Sequence, residues 1–198
     1  RDWDQQKIGE LAFDAEVTEF NEPGGMMDQY STAIGNLIYL ESEPSISIKK
    51  LNPKLGTFIL ADSGESKNTF EILKRCRDSR QKLFKNLIIN NPLINIKSCD
   101  ENIDLSDLSD DEVQLYFGTI KNRELLKRAL HELQKKRINK RLIGELLYKH
   151  HTVLRDDLKV STPKIEKMID AAMNAGALGA KINGSGGGGC MFAYAPNK

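Results

Sequence analysis

Apolar residues recur at helical spacing over residues 3–21, where Ile8, Leu11, Ala12 and Ala15 share one face until Glu22-Pro23-Gly24-Gly25 stops the run. A short helix is predicted from about Asp28 to Ala33, ending near Gly35. Strand-like runs follow at Leu37–Leu40, at the alternating Ile46-Ser47-Ile48, and at Thr57–Ala61, which Asp62-Ser63-Gly64 punctuates. Residues 68–90 read as a helix through Phe70, Leu73, Leu83, Phe84 and Leu87, and Asn91-Pro92 breaks it. Further helices are predicted at 110–118, 122–136 and 139–155. Thr162-Pro163 opens another, with Ile165, Met168, Ile169 and Ala172 as its buried stripe and Gly176 in the C′ place. The tail reads as strand, loop, strand: Leu178–Ile182, Asn183–Gly189, Cys190–Ala195. Helices outnumber strands and do not alternate with them, so the fold class is α+β.

The chain has 198 residues, 39% hydrophobic and 29% charged, an ordinary globular balance that excludes a wholly disordered chain. The longest uncharged stretch, Ile182 to Asn197, is rich in glycine, so no membrane span is expected. The charged start Arg1-Asp2-Trp3-Asp4 does not read as a signal peptide. Cys76, Cys99 and Cys190 have no paired spacing, which fits a reducing, cytoplasmic setting.

The net charge of +1 conceals two blocks. Residues 100–112 carry seven acidic groups and read as a loop, whereas residues 121–141 carry nine Lys or Arg against two Glu. A basic helix invites a nucleic-acid reading, but no stacking aromatics interleave it. Solvated faces of opposite sign account for both blocks better.

Two segments have chemical content. Gly184-Ser185-Gly186-Gly187-Gly188-Gly189 lies between two apolar strand candidates, an unusual place for a linker. Without Cβ atoms such a loop lets backbone amides approach an anion closely. No Gly-Lys-Ser/Thr follows, and a strand rather than a helix comes next, so it is neither a Walker loop nor a dinucleotide fingerprint. The second segment, Gly24-Gly25-Met26-Met27-Asp28-Gln29, sets a carboxylate just after a glycine turn at a helix start. A dipole-favoured acid explains that placement. So does a group that accepts or orients a substrate hydroxyl proton during phosphoryl transfer.

Taken together, EPGGMMDQYSTAIG and LRDDLKVSTPKIEKMIDAAMNAGALGAKINGSGGGGCMF resemble two signatures of the GHMP small-molecule kinases, nearest the galactokinase-like sugar kinases. ELAFDAEVTEF is similar to the helix before the first of them. The resemblance implies an antiparallel sheet packed with helices around a ferredoxin-like core. Residues 1–52 would close an N-terminal domain and residues 53–198 would form the C-terminal domain. It implies transfer of the γ-phosphoryl of Mg-ATP to a sugar hydroxyl, the anomeric one being expected. Asp28 would be the catalytic carboxylate, Gly25 would lie against the sugar, and Gly184, Ser185, Gly186, Gly187, Gly188 and Gly189 would form a loop beside the ATP phosphates. The family's sugar-binding signature, its Pro-x-x-x-Gly-Leu-x-Ser-Ser-type loop and its Mg²⁺ ligands lie upstream and do not occur here. The chain is therefore expected to begin inside a kinase, and to fold without turning over on its own.

Gly24-Gly25 stands where galactokinases usually carry Cys-Gly, and the stretch after Asp62-Ser63-Gly64 lacks their tyrosine. The outline fits relatives acting on heptose phosphates equally, and a non-catalytic sugar sensor remains a second reading. Partners are a small-molecule sugar and ATP, with neither nucleic acid nor membrane expected. His131, His150 and His151 are too few and too poorly spaced for structural zinc. His150 is expected to pack on a helix face or to help place Arg155. Arg155-Asp156-Asp157 suggest structural ion pairing, Cys190 a small core residue, and Lys181 an exposed strand lysine that could reach phosphates.

Overall fold

The structure, a computed structural model, describes residues 3–67, 69–90, 92, 94 and 103–196. Cys99 and the first part of the acidic run lie outside the described residues. The chain divides into two compact units, 1–54 with 133–138, and 55–132 with 139–198.

In the first unit, Asp4 caps helix α1 (Gln5–Phe13) by accepting from Lys7 N–H at 2.7 Å. A wide π-turn, Asp14–Thr18, carries the helix on. Helix α2 (Met27–Ile34) ends at Gly35, whose φ of +75° suits only a glycine. The two helices meet closely: a Cβ on Gly9 would come within 2.9 Å of the Tyr30 ring, and Tyr30 is fully buried. Strands β1 (Leu37–Glu41) and β2 (Ser47–Leu51) pair antiparallel, from Leu37 opposite Leu51 to Glu41 opposite Ser47.

In the second unit, β3 (Phe58–Asp62), β4 (Gly179–Ile182) and β5 (Cys190–Tyr194) form an antiparallel sheet with β5 in the centre. Helix α6 (Pro163–Asn174) buries Ile165 and Ile169 against Ala180, Ile182, Met191 and Ala193. Thr162 caps it by accepting from Ile165 N–H, Pro163 opens it, and Gly176 at φ +91° closes it as expected. Helix α5 (Lys140–Thr152), extended by a π-turn at Val153–Asp157, lies along the outer edge of β4. There Ile182 N–H donates to His151 Nδ1 at 3.4 Å. Helices α3 (Thr69–Asn90) and α4 (Asp110–Leu133) enclose a second core of Leu83, Leu87, Tyr116 and Ile120.

One expectation needs correction. The separate helices at 110–118 and 122–136 are a single 24-residue helix, α4. Gly118 does not break it. A Cβ there would come within 2.6 Å of the Asp157 Cβ, so the glycine serves a close approach at a cost of about 1 kcal/mol in helix propensity. Among the described residues no helix is long and apolar enough to cross a membrane.

Candidate functional site

In the first unit the chain turns at a buried Pro23 and enters α2 through Gly24 and Gly25. A Cβ on Gly24 would touch Val17 at 3.4 Å, whereas one on Gly25 would meet nothing within 4 Å, leaving that face open. Asp28 stands in the first turn of α2 with its side chain exposed, where the helix dipole favours an anion. Gln29 points the other way. It is buried, and its Nε2 donates to Glu16 Oε2 in the π-turn at 2.8 Å. The pair thus divides labour: Gln29 pins the helix and Asp28 is presented outward. Gln29 was missed from sequence, because nothing local records that its side chain meets Glu16.

In the second unit the loop between β4 and β5 is held in left-handed backbone. Gly184, Gly186, Gly187, Gly188 and Gly189 have φ of +68°, +84°, +75°, +122° and +68°. Gly187 N–H donates to Val160 O at 2.7 Å, Gly189 N–H to Glu65 O at 3.0 Å, and Gly189 O accepts from Ser63 N–H at 2.9 Å. Packing explains part of the glycine content. A Cβ on Gly186 would press within 2.5 Å of Val160 O, and one on Gly188 within 3.1 Å of Glu65 O. The Ser185 hydroxyl is buried without a hydrogen-bond partner among the described residues, a polar atom left available within the loop. Glu65 was missed from sequence; its Oε2 accepts from the Thr162 hydroxyl at 2.6 Å, linking the stretch after β3 to the start of α6.

Beside this loop lies a charged cluster. Glu166, in the first turn of α6, accepts from His151 Nε2 at 2.9 Å, from Arg155 Nη1 at 3.3 Å and from the Ser161 hydroxyl. It is His151, not His150, that shares a partner with Arg155. Arg155 also pairs with Asp156 at 2.7 Å, and Asp157 with Lys121 at 3.2 Å, so the Arg-Asp-Asp run forms ion pairs as expected. Lys181 is corrected from exposed to half-buried. Its Nζ donates to Ile182 O at 2.8 Å and sits 5.1 Å from the Phe192 ring, and burial pushes its pKa down to about 8. Burial, then the charge of Lys181, pushes His150 down to about 4. Cys190 is half-buried. Within the basic run, Lys127 pairs with Glu124 and Arg141 with Glu145.

Among the described residues no group of three or more His, Cys, Asp or Glu gathers as a metal would require, so no side chain here is assigned to Mg²⁺. The glycine loop, with its unpartnered Ser185 hydroxyl, has the chemistry of an anion-binding loop.

Residues 120–198 match the family model described as GHMP kinases C terminal. A mevalonate kinase of Thermococcus gammatolerans is 28% identical over 195 residues, covering 98% of this chain and 49% of that protein. A galactokinase of Clostridium perfringens is 28% identical over 212 aligned positions, covering 93% of this chain and 50% of its own length. The crystal structure of Lactococcus lactis galactokinase complexed with galactose superposes with a TM-score of 0.82 at 17% identity, over 99% of this chain and 53% of that one. The chain spans about half the length of the curated relatives it matches.

Proposed function

We propose that the protein, whose residues 120–198 match the GHMP kinase C-terminal family model, is an ATP-dependent kinase of a small-molecule hydroxyl, a sugar being the favoured acceptor. One observation carries the reading: the loop between β4 and β5, where five glycines within residues 184–189 hold left-handed backbone. Such a loop admits an oxyanion against the main chain, where a side chain would exclude it. In this reading it holds the phosphates of ATP. Asp28, exposed and without a cationic partner among the described residues, takes or orients the proton of the acceptor hydroxyl as its oxygen attacks the γ-phosphorus and ADP departs. Gly25 leaves open space where the acceptor rests. Mg²⁺ bound with the nucleotide would offset the phosphate charge.

The glycine turn leading into Met-Asp-Gln favours a sugar acceptor, galactose or a heptose phosphate, phosphorylated at the anomeric hydroxyl. The likeness to the Thermococcus gammatolerans mevalonate kinase supports mevalonate as a second reading. ADP release by the native gene product, measured with galactose, a heptose phosphate and mevalonate, separates them. Turnover with one acceptor assigns the substrate class. ATP binding without turnover on any of them would favour a sensor, and no ATP binding would remove the kinase reading altogether.

A further inference from the structure

The stretch that leaves β3 runs beside the glycine loop along a well-fixed course. Gly64 N–H donates to Asp62 Oδ1 at 2.9 Å, Glu65 N–H to the Ser63 hydroxyl at 3.1 Å, and Glu65 O receives Gly189 N–H. Lys67 lies at its end. Its Nζ stands 3.4 Å from where a Cβ on Gly184 would be and 3.6 Å from the corresponding point on Gly189. A single ammonium therefore bridges the two ends of the loop. Lys67 is exposed and has no carboxylate partner among the described residues, whereas Lys121, Lys127 and Lys159 are each paired. A second ammonium, that of Lys164, comes within 3.9 Å of the Cβ position on Gly64.

The loop needs that charge. Two of its amides, those of Gly187 and Gly189, already serve Val160 O and Glu65 O, so its backbone offers fewer donors than its glycine content suggests. The carboxylate of Glu65, which lies on the same stretch and accepts from Thr162 at the start of α6, would repel a polyphosphate unless a cation offset it. We propose that Lys67 is a phosphate-binding residue, its ammonium donating to the nucleotide phosphates held against Gly184–Gly189. This rests on the kinase reading above and adds to it a side chain outside both signatures. Lys67 is mobile enough on its four-carbon stem to follow phosphate oxygens along the loop.

Calorimetric binding of ATP and of adenosine to the native gene product tests this, with Lys67→Ala, Lys67→Arg and the remote charge control Lys127→Ala. Lys67→Ala is expected to weaken ATP binding about tenfold, the size of one charge-assisted hydrogen bond. Adenosine affinity should be unchanged, Lys67→Arg should retain most of the ATP affinity, and Lys127→Ala should match the wild type. Equal ATP affinity in the wild type and Lys67→Ala overturns the proposal and leaves the kinase reading standing. A parallel loss of ATP and adenosine also overturns it, by showing a role in shape rather than in phosphate binding. A wild type that binds no ATP overturns the kinase reading and this proposal with it.

Discussion

His151 Nε2 stands 2.9 Å from Glu166 Oε1, joining the end of α5 to the first turn of α6. His151 is fully buried, and its Nδ1 accepts the Ile182 N–H, so the proton sits on Nε2 and the ring is neutral. Burial holds its pKa below the ordinary value, against the pull of Glu166 in the other direction. Removing Glu166 strands the ring donor, the Ser161 hydroxyl and an arm of Arg155 together. Glu166→Ala should cost about 2–3 kcal/mol in chemical denaturation, and Glu166→Gln, which keeps an acceptor, clearly less. A loss below about 0.5 kcal/mol for Glu166→Ala would show that the cluster contributes little.

His150 and Lys181 make stability depend on pH. His150 titrates near 4 in the folded chain and near 6.5 when unfolded. Between those values the unfolded chain binds the extra proton, so the folded state weakens as pH falls from about 6.5 toward 4, by up to about 3 kcal/mol. His150→Gln should flatten that limb of the stability profile.

Lys181, held near 8 against about 10.4 when free, carries its charge at a cost below pH 8, and the cost disappears as pH rises through the unfolded value. Lys181→Met should raise stability at pH 7 by about 1–2 kcal/mol. The same substitution should raise the pKa of His150, because the Lys181 charge is one of its depressors. An unchanged His150 titration by NMR would disprove the coupling.

Gly144 of α5 and Gly179 of β4 let two backbones touch. A Cβ on Gly144 would come within 2.6 Å of the Cβ of Leu178, which leads into β4 and is tied to β5 by donating its N–H to Tyr194 O at 2.8 Å. Gly144→Ala should destabilise by about 3 kcal/mol, while alanine at the open Gly25 should leave the melting temperature unchanged.

Asp28 and Gln29 should separate activity from stability. Asp28→Ala is expected to lower turnover by at least about 100-fold with stability within about 0.5 kcal/mol. Gln29→Ala removes the bond to Glu16 and should cost about 1–2 kcal/mol. Near-normal turnover in Asp28→Ala would rule out its role as the proton acceptor.

Local signals that act within one segment were legible in the sequence. Thr162, Pro163 and Gly176 bounded α6 correctly because capping is a property of a few adjacent residues. The break placed after residue 118 did not hold because the reason for Gly118 is the approach of Asp157, thirty-nine positions away, and no local pattern records that. Lys181 was read as exposed because strand alternation assigns a face without saying what covers it. His150 and His151 could not be told apart on a helix whose neighbours were unknown, yet one is fully buried on Glu166 and the other faces Lys181. The loop 184–189 was found from composition, but the committed amides of Gly187 and Gly189 emerged only with Val160 and Glu65 in place.

The position of α5 along β4 has a consequence for association. With His151 and the Gly144 backbone occupying that flank, the sheet can be extended only from its opposite flank, β3, which among the described residues carries no further strand and exposes Phe58, Ile59 and Leu60. Growth of this sheet is therefore one-way, and a charged residue at Leu60 would be the economical place to block it.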